Sequence, residues 1–120
     1  MAKAVFRCQV CMSVAATLEL IAAPEALSGK LVLAGFLWES STEEVKGQFV
    51  RSLQQALTTH DAQLVHTLNP MWAPFYCPQC QRVYCVKHWK ITPHFDSDLA
   101  GWYDSSHGIC PKGHRRLVDD

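Results

Sequence analysis

The chain carries no excess of either charge: 11 basic residues balance 11 acidic ones. A strongly cationic surface of the kind that grips nucleic acid is therefore not implied. No run of 18 apolar residues occurs, which excludes a membrane-spanning helix. The N-terminal stretch Met1 to Cys8 has no long apolar segment, so no secretory leader is expected and the cytoplasm is the expected compartment. There is no G-x-S-x-G motif to support serine chemistry. Low-complexity tracts are also missing. Apolar residues are not scarce: at 48% of 120 residues they can fill the core of one domain.

Nor does the chain have a spare cysteine. All six fall into ligand-type pairs: Cys8/Cys11, Cys77/Cys80, Cys85/His88 and Cys110/His114. Two residues separate the partners in the first three pairs and three in the last. Three disulfides are the alternative use of six cysteines. In a chain without a leader, however, C-x2-C beside C-x2-H and C-x3-H suits zinc better. Two tetrahedral zinc sites need eight ligands, and eight are supplied. Six thiolates and two zinc ions would leave the metallated chain at about −2.

The pairs can be shared in two ways. Neighbouring pairs could each close one site, or alternate pairs could interleave. Only Gln81 to Tyr84 separate Cys80 from Cys85, with no Gly, Asn or Pro to turn the chain. Arg82, Val83 and Tyr84 favour an extended strand, and five extended steps span roughly 16 Å. Ligand atoms on one zinc lie only about 4 Å apart. The preferred division puts Cys8, Cys11, Cys85 and His88 on one zinc, and Cys77, Cys80, Cys110 and His114 on the other. Of the remaining histidines, His60 falls at a helix end and His66 in an expected strand. His94 and His107 lie near the second site in sequence and could replace an assigned ligand.

Residues 12–76, between the first and second pairs, are too long for a plain loop. Ala15–Ala22 reads as a strand, Pro24 with Ser28-Gly29 as a turn, and Lys30–Trp38 as a second strand. Ser41-x-x-Glu44 has the form of a capping box. Val45, Phe49, Leu53 and Leu57 then recur every four residues, which predicts a helix ending at His60-Asp61. Gln63–Leu68 reads as a third strand. Asn69-Pro70 and Ala73-Pro74 make a stiff approach to the second pair. The expected organisation is a single zinc-binding domain over 1–120, with an α+β insertion over 12–76 built as a β-β-α-β layer. Aromatics of the C-terminal third, among them Trp89, Phe95, Trp102 and Tyr103, are expected to pack around the metals.

Four-ligand sites leave no open position for substrate, and no thiol is left over as a nucleophile. Asp96, Asp98 and Asp104 read as loop and cap residues, not as an acid/base set.

The interleaved ligands resemble the cross-brace zinc modules RING, FYVE and PHD, so the fold expected is α+β, a cross-brace module of treble-clef type. Three details are similar to RING domains of ubiquitin ligases: aliphatic Val10 in the first knuckle, Cys110-Pro111 opening the last pair, and basic Arg115 after the eighth ligand. By that resemblance Val10, Trp89 and Pro111 would dock a ubiquitin-conjugating enzyme, and Arg115 would be the catalytic linchpin, acting by positioning. The insertion would bind the protein substrate. The C-x4-C step between the central pairs is closer to FYVE spacing, while the FYVE basic stretch is absent. The insertion is longer than the usual first RING loop, the C-x3-H pair is atypical, and Trp89 is offset from the usual RING tryptophan. The tail from Cys110 onward is similar to that of small bacterial proteins.

Two other functions fit the same residues: a non-catalytic zinc adaptor, and a nucleic-acid binder using Lys87, Lys90, Lys112, Arg115 and Arg116 with Trp89 stacking on a base. The acids interspersed among those cations argue against the latter. Elemental analysis of the purified chain is expected to give two zinc per molecule. A value clearly below two would refute the eight-ligand count.

Overall fold

A computed structural model describes residues 2–22, 28–37, 39–96 and 102–119. The expected turn at Pro24 and the end of the second strand at Trp38 lie outside these, as does Asp98. Three antiparallel sheets and two helices form among the described residues. This is a small β-rich fold, which corrects the α+β expectation: the described residues form neither a RING/FYVE-like treble-clef layout nor a β-β-α-β layer.

The first sheet is a meander of β1 (Ala2–Arg7), β2 (Val14–Ile21), β3 (Ser28–Ala34) and β4 (Ser41–Lys46). In β1 the small apolar residues Ala2 and Ala4, with Phe6, face inward, and Lys3, Val5 and Arg7 face out. Leu18 and Leu20 of β2 pair with Leu33 and Leu31 of β3 on the same buried side. The capping-box reading of Ser41–Glu44 gives way here. Thr42 and Val45 are β-branched and the segment lies in register with β3, from Ser41 opposite Leu33 to Lys46 opposite Ser28.

Helix α1 (Gly47–Thr58) starts only after that strand, with no side-chain cap, and buries Leu53, Ala56 and Leu57 against the sheet. Its end is a Schellman motif. Asp61 N–H donates to Ala56 O (2.8 Å), His60 N–H donates to Leu57 O (3.2 Å), and His60 takes the left-handed φ of 54°. Asp61 then caps the next helix, α2 (Ala62–Leu68), by accepting from Leu64 N–H at 3.0 Å. One residue thus closes α1 and opens α2. Gln63–Leu68, expected as a strand, is helical because Asp61 supplies that cap and Ala62 and Val65 bury a helical stripe. His66 accordingly lies in the last turn of α2.

Asn69 caps a 3-10 turn at Pro70–Trp72, and the chain enters the short hairpin β5 (Tyr76–Cys77) and β6 (Arg82–Val83). A second 3-10 turn, Val86–His88, leads to the third sheet: β7 (Lys90–Asp96), β8 (Trp102–Ile109) and β9 (Arg115–Asp119). The buried residues form a contiguous cluster running from the first sheet through Phe75 and Trp89 to Val118. Phe75 stacks on Phe6 at 5.3 Å and meets Phe36 edge-on at 6.2 Å, joining the hairpin to the first sheet. No helix among the described residues is long and apolar enough to cross a membrane.

Gly108 of β8 sets the fit of the third sheet to this core. A Cβ there would stand 2.9 Å from the Trp89 ring, 3.0 Å from Val118 and 3.2 Å from Ile91. Gly108→Ala is expected to destabilise the fold by about 1–3 kcal/mol through overpacking, read as a lower urea midpoint at unchanged slope.

Candidate metal centre

Each ligand pair sits on a turn that local hydrogen bonds shape. The first knuckle is the β1–β2 turn. Cys8 N–H donates to Ser13 O (2.8 Å) and Met12 N–H to Cys8 O (2.9 Å). The second is the β5–β6 turn, where Gln81 N–H donates to Cys77 O at 2.7 Å. The two knuckles share a backbone form. The residue after the second cysteine is left-handed in both: Met12 at φ 65° and Gln81 at φ 57°. Amide-to-sulfur bonds run from Val10 N–H to Cys8 Sγ and from Cys80 N–H to Cys77 Sγ, each 3.4 Å. The third pair brackets the 3-10 turn, with His88 N–H on Cys85 O at 2.9 Å. The fourth closes the β8–β9 turn, where Gly113 adopts φ 91° and His114 N–H reaches Cys110 Sγ at 3.4 Å.

These turns bring the eight side chains into two clusters, Cys8–Cys11–Cys85–His88 and Cys77–Cys80–Cys110–His114. In each, the candidate ligand atoms lie within 4.8 Å of one another. In the first, Cys11 Sγ is 3.7 Å from Cys85 Sγ, and His88 Nδ1 is 3.2 Å from Cys85 Sγ and 3.5 Å from Cys8 Sγ. In the second, Cys80 and Cys110 sulfurs are 3.7 Å apart, and His114 Nδ1 stands 3.1–3.6 Å from the three thiols. Bonds of about 2.0–2.3 Å to a tetrahedral ion would place its ligand atoms about 3.3–3.8 Å apart. The three-sulfur, one-nitrogen sets fit such an ion, and the clusters can hold two metal ions. None of the six cysteines forms a disulfide.

The short step from Cys80 to Cys85 separates the clusters. Val83 pairs with Tyr76 across the hairpin, and its carbonyl accepts Gln9 N–H from the first knuckle at 2.8 Å. That bond docks the N-terminal turn on the segment that delivers Cys85. Cys8, Cys77, Cys85 and Cys110 are buried, whereas Cys11 is exposed. The Ser13 hydroxyl, 2.9 Å from Cys11 Sγ, and the Ser13 backbone hold this thiol down to about 6. Burial pushes Cys77 up to about 11. Both must be thiolates to bind metal, so the ion's charge has most to offset at Cys77.

The other expected site residues fall in different places. Val10 is 54% exposed on the first knuckle. Pro111 and Arg115 are exposed beside the second cluster. Trp89, expected at a docking groove, is 3% exposed. Its indole N–H is shared by Tyr84 O (3.0 Å) and Phe75 O (3.3 Å), and its ring meets Tyr84 edge-on. It is a core residue joining the hairpin to β7, and it offers no face to a conjugating enzyme or a base. His94 and His107 belong to neither cluster.

Sequence reasoning missed Arg116. From β9 its guanidinium donates to the carbonyls of Tyr76 (2.7 Å), Ala73 (2.9 Å), Pro70 (2.9 Å) and Leu117 (2.8 Å). It pins the segment that presents Cys77, and burial lowers its pKa to about 10. Its place beside Arg115 in a basic run hid this role, because nothing local distinguishes a solvated arginine from one that caps carbonyls.

Two results are expected. Arg116→Met should cost at least about 2 kcal/mol, since the abandoned carbonyls lose charge-assisted partners. It should also weaken retention of one metal equivalent more than the other in a chelator competition. Chelation should first abolish amide exchange protection at Val10, Cys80 and His114, whose N–H groups face cysteine sulfur. Protection surviving at all three in metal-free chain would show that the turns stand without the ions.

No curated protein and no solved structure matches this chain. The family comparison does find a match, and it spans residues 1–120. With its two Cys3His clusters and three sheets, the chain belongs to the DUF8328 family, described as a domain of unknown function.

Proposed function

We propose that the protein is a zinc-stapled interaction module: two structural zinc ions hold a β-rich scaffold whose first knuckle engages a protein partner. The observation that carries this reading is the pair of closed three-thiolate, one-imidazole clusters, which suit zinc and leave no coordination position for a substrate. Around exposed Cys11, Val10, Met12 and Val14 are all exposed, Met12 at 62%. A metal ion would already order the backbone of the turn that carries Val10 and Met12, so a partner docking there orders side chains alone, which favours their use as contact residues.

The ubiquitin-ligase reading keeps some support from the exposure of Val10, Pro111 and Arg115. It loses Trp89 to the core and the RING layout to a different fold. The adaptor reading needs neither. The nucleic-acid reading loses Trp89 as a stacking platform and Arg116 as a free cation.

The test compares the wild-type chain with Val10→Asp/Met12→Asp. A partner is expected that forms a stoichiometric complex from purified components and binds the double variant at least tenfold more weakly, at equal zinc content. Equal binding by both proteins would remove the knuckle from the interface. Acceleration of thioester discharge from a conjugating enzyme, lost in Arg115→Ala, would instead establish the ligase reading.

A further inference from the structure

The first sheet has one edge that its own chain leaves open. β1 is an end strand of the meander, and among the described residues no strand pairs with its far side. The direction of its backbone groups follows from the first knuckle. Cys8 turns both of its own toward the β2 side, its N–H donating to Ser13 O and its carbonyl accepting Met12 N–H. Successive residues of a strand turn their backbone groups to opposite sides. Lys3, Val5 and Arg7 therefore turn theirs away from β2. Gln9, next in that row, makes its bond on the far side: its N–H donates to Val83 O at 2.8 Å. Val83 thus fills the end of a lane beside β1. Among the described residues nothing bonds the groups that Lys3, Val5 and Arg7 turn into the rest of it. A cleft of about 560 Å³ opens beside this lane, with Val5, Phe6 and Arg7 on one wall and His60, Asp61 and Arg82 on the others.

Charge decides what can enter. Lys3, Val5 and Arg7 are exposed on one face of β1, and an added strand sets one residue directly opposite each of them. A second copy of β1, antiparallel about Val5, would set Lys3 against Arg7 twice, and like charges directly opposite destabilise a pair. Basic residues on an edge block such self-pairing. They match instead a strand that carries carboxylates opposite Lys3 and Arg7 and an apolar residue opposite Val5. Arg82, at the end of the lane, adds to the positive side. Two acids lie nearby. Glu19 is opposite Lys3 on β2, two strand spacings or about 10 Å from an added strand, and the Asp61 carboxylate accepts Leu64 N–H at the start of α2. Neither would stand directly opposite the added residues.

We infer that the free edge of β1 is a docking site for an extended acidic segment of a partner protein, which adds to the first sheet as a fifth strand. The segment has the pattern acidic–x–apolar–x–acidic. Its main chain takes up the outward groups of Lys3, Val5 and Arg7, and its intervening side chains turn toward the cleft. The edge uses neither a cysteine ligand nor the side chains of Val10 and Met12, so it stands independently of the knuckle as a contact surface.

The test titrates the metal-loaded full chain with the peptide acetyl-Thr-Glu-Thr-Val-Thr-Glu-Thr-amide at constant ionic strength, followed through backbone amide NMR signals. Saturable shifts in β1 and the cleft residues are expected, in the millimolar range or tighter. Lysine in place of both glutamates should weaken binding at least tenfold. Lys3→Glu/Arg7→Glu, which changes only exposed side chains, should reverse that preference while the rest of the first sheet keeps its spectrum. N-methylation of the glutamate and valine amides should abolish binding, because those N–H groups face β1 in the added strand. Absence of saturable shifts, equal binding of the two peptides, indifference to N-methylation or an unchanged preference in the charge-reversed variant would overturn the proposal. A dimer of the free chain that protects the amides of Lys3, Val5 and Arg7 from exchange would give the edge to a second copy, and would overturn it too.

Discussion

The five-residue step from Cys80 to Cys85 is the constraint on which the rest of the molecule depends. Past the left-handed Gln81 it runs extended, with Val83 paired to Tyr76 on one side and bonded to Gln9 on the other, and it carries Cys85 away from the cluster that holds Cys80. The hairpin therefore hands its first two thiols to the C-terminal sheet and passes the next two ligands to the N-terminal knuckle. Phe75 and Trp89 occupy the junction this creates. Phe75 packs under β1, and Trp89 ties the carbonyls of Phe75 and Tyr84 to the start of β7. Close approach of β8 to that indole requires Gly108, and the approach to the hairpin is fixed from the other side by Arg116.

Two kinds of support thus reinforce each other. The first sheet and its helices make an ordinary apolar core, with leucines from β2, β3 and α1. The smaller C-terminal part has few residues of that kind, and polar devices replace them: amides that donate to cysteine sulfur, carbonyl-capping arginine, and the Tyr103 hydroxyl 2.7 Å from Ser106 Oγ and donating to Asp119 at 2.5 Å. Such groups hold position only when every partner is present, which is why the metal clusters and the third sheet belong together energetically.

The clustering of the eight ligand-type residues was legible because coordination chemistry imposes spacing on sequence: partners with two or three residues between them, and a short β-prone gap between the central pairs. The apolar stripe of α1 was legible for a similar reason, since Leu53 and Leu57 repeat with the helix. The errors arose where two signals competed. Ser41–Glu44 has a cap's residue types, but pairing with β3 outweighs a cap worth about 1 kcal/mol. Gln63–Leu68 looks like a strand until Asp61 is seen capping it. In β1 the buried alternation rests on Ala2 and Ala4, side chains too small to stand out, before it reaches Phe6. The fold class was missed because ligand order was taken to imply the architecture of familiar cross-brace modules, although the same order can be met on three sheets. The contact between the His94 and His107 rings was invisible for a plainer reason: the two become neighbours only through strand register.

The interleaving also has a consequence for how the chain assembles. As it emerges from the ribosome, Cys77, Cys80, Cys85 and His88 appear within twelve residues of one another, long before the last pair is available. A single ion could capture all four and leave the N-terminal knuckle stranded, a kinetic trap favoured by the short loop. In the folded chain the pairing of Arg82 and Val83 with Cys77 and Tyr76 sets Cys85 beside Cys11, 74 residues upstream, and not with the pair just before it, so that a local preference for extended backbone decides which partners a metal ion would meet.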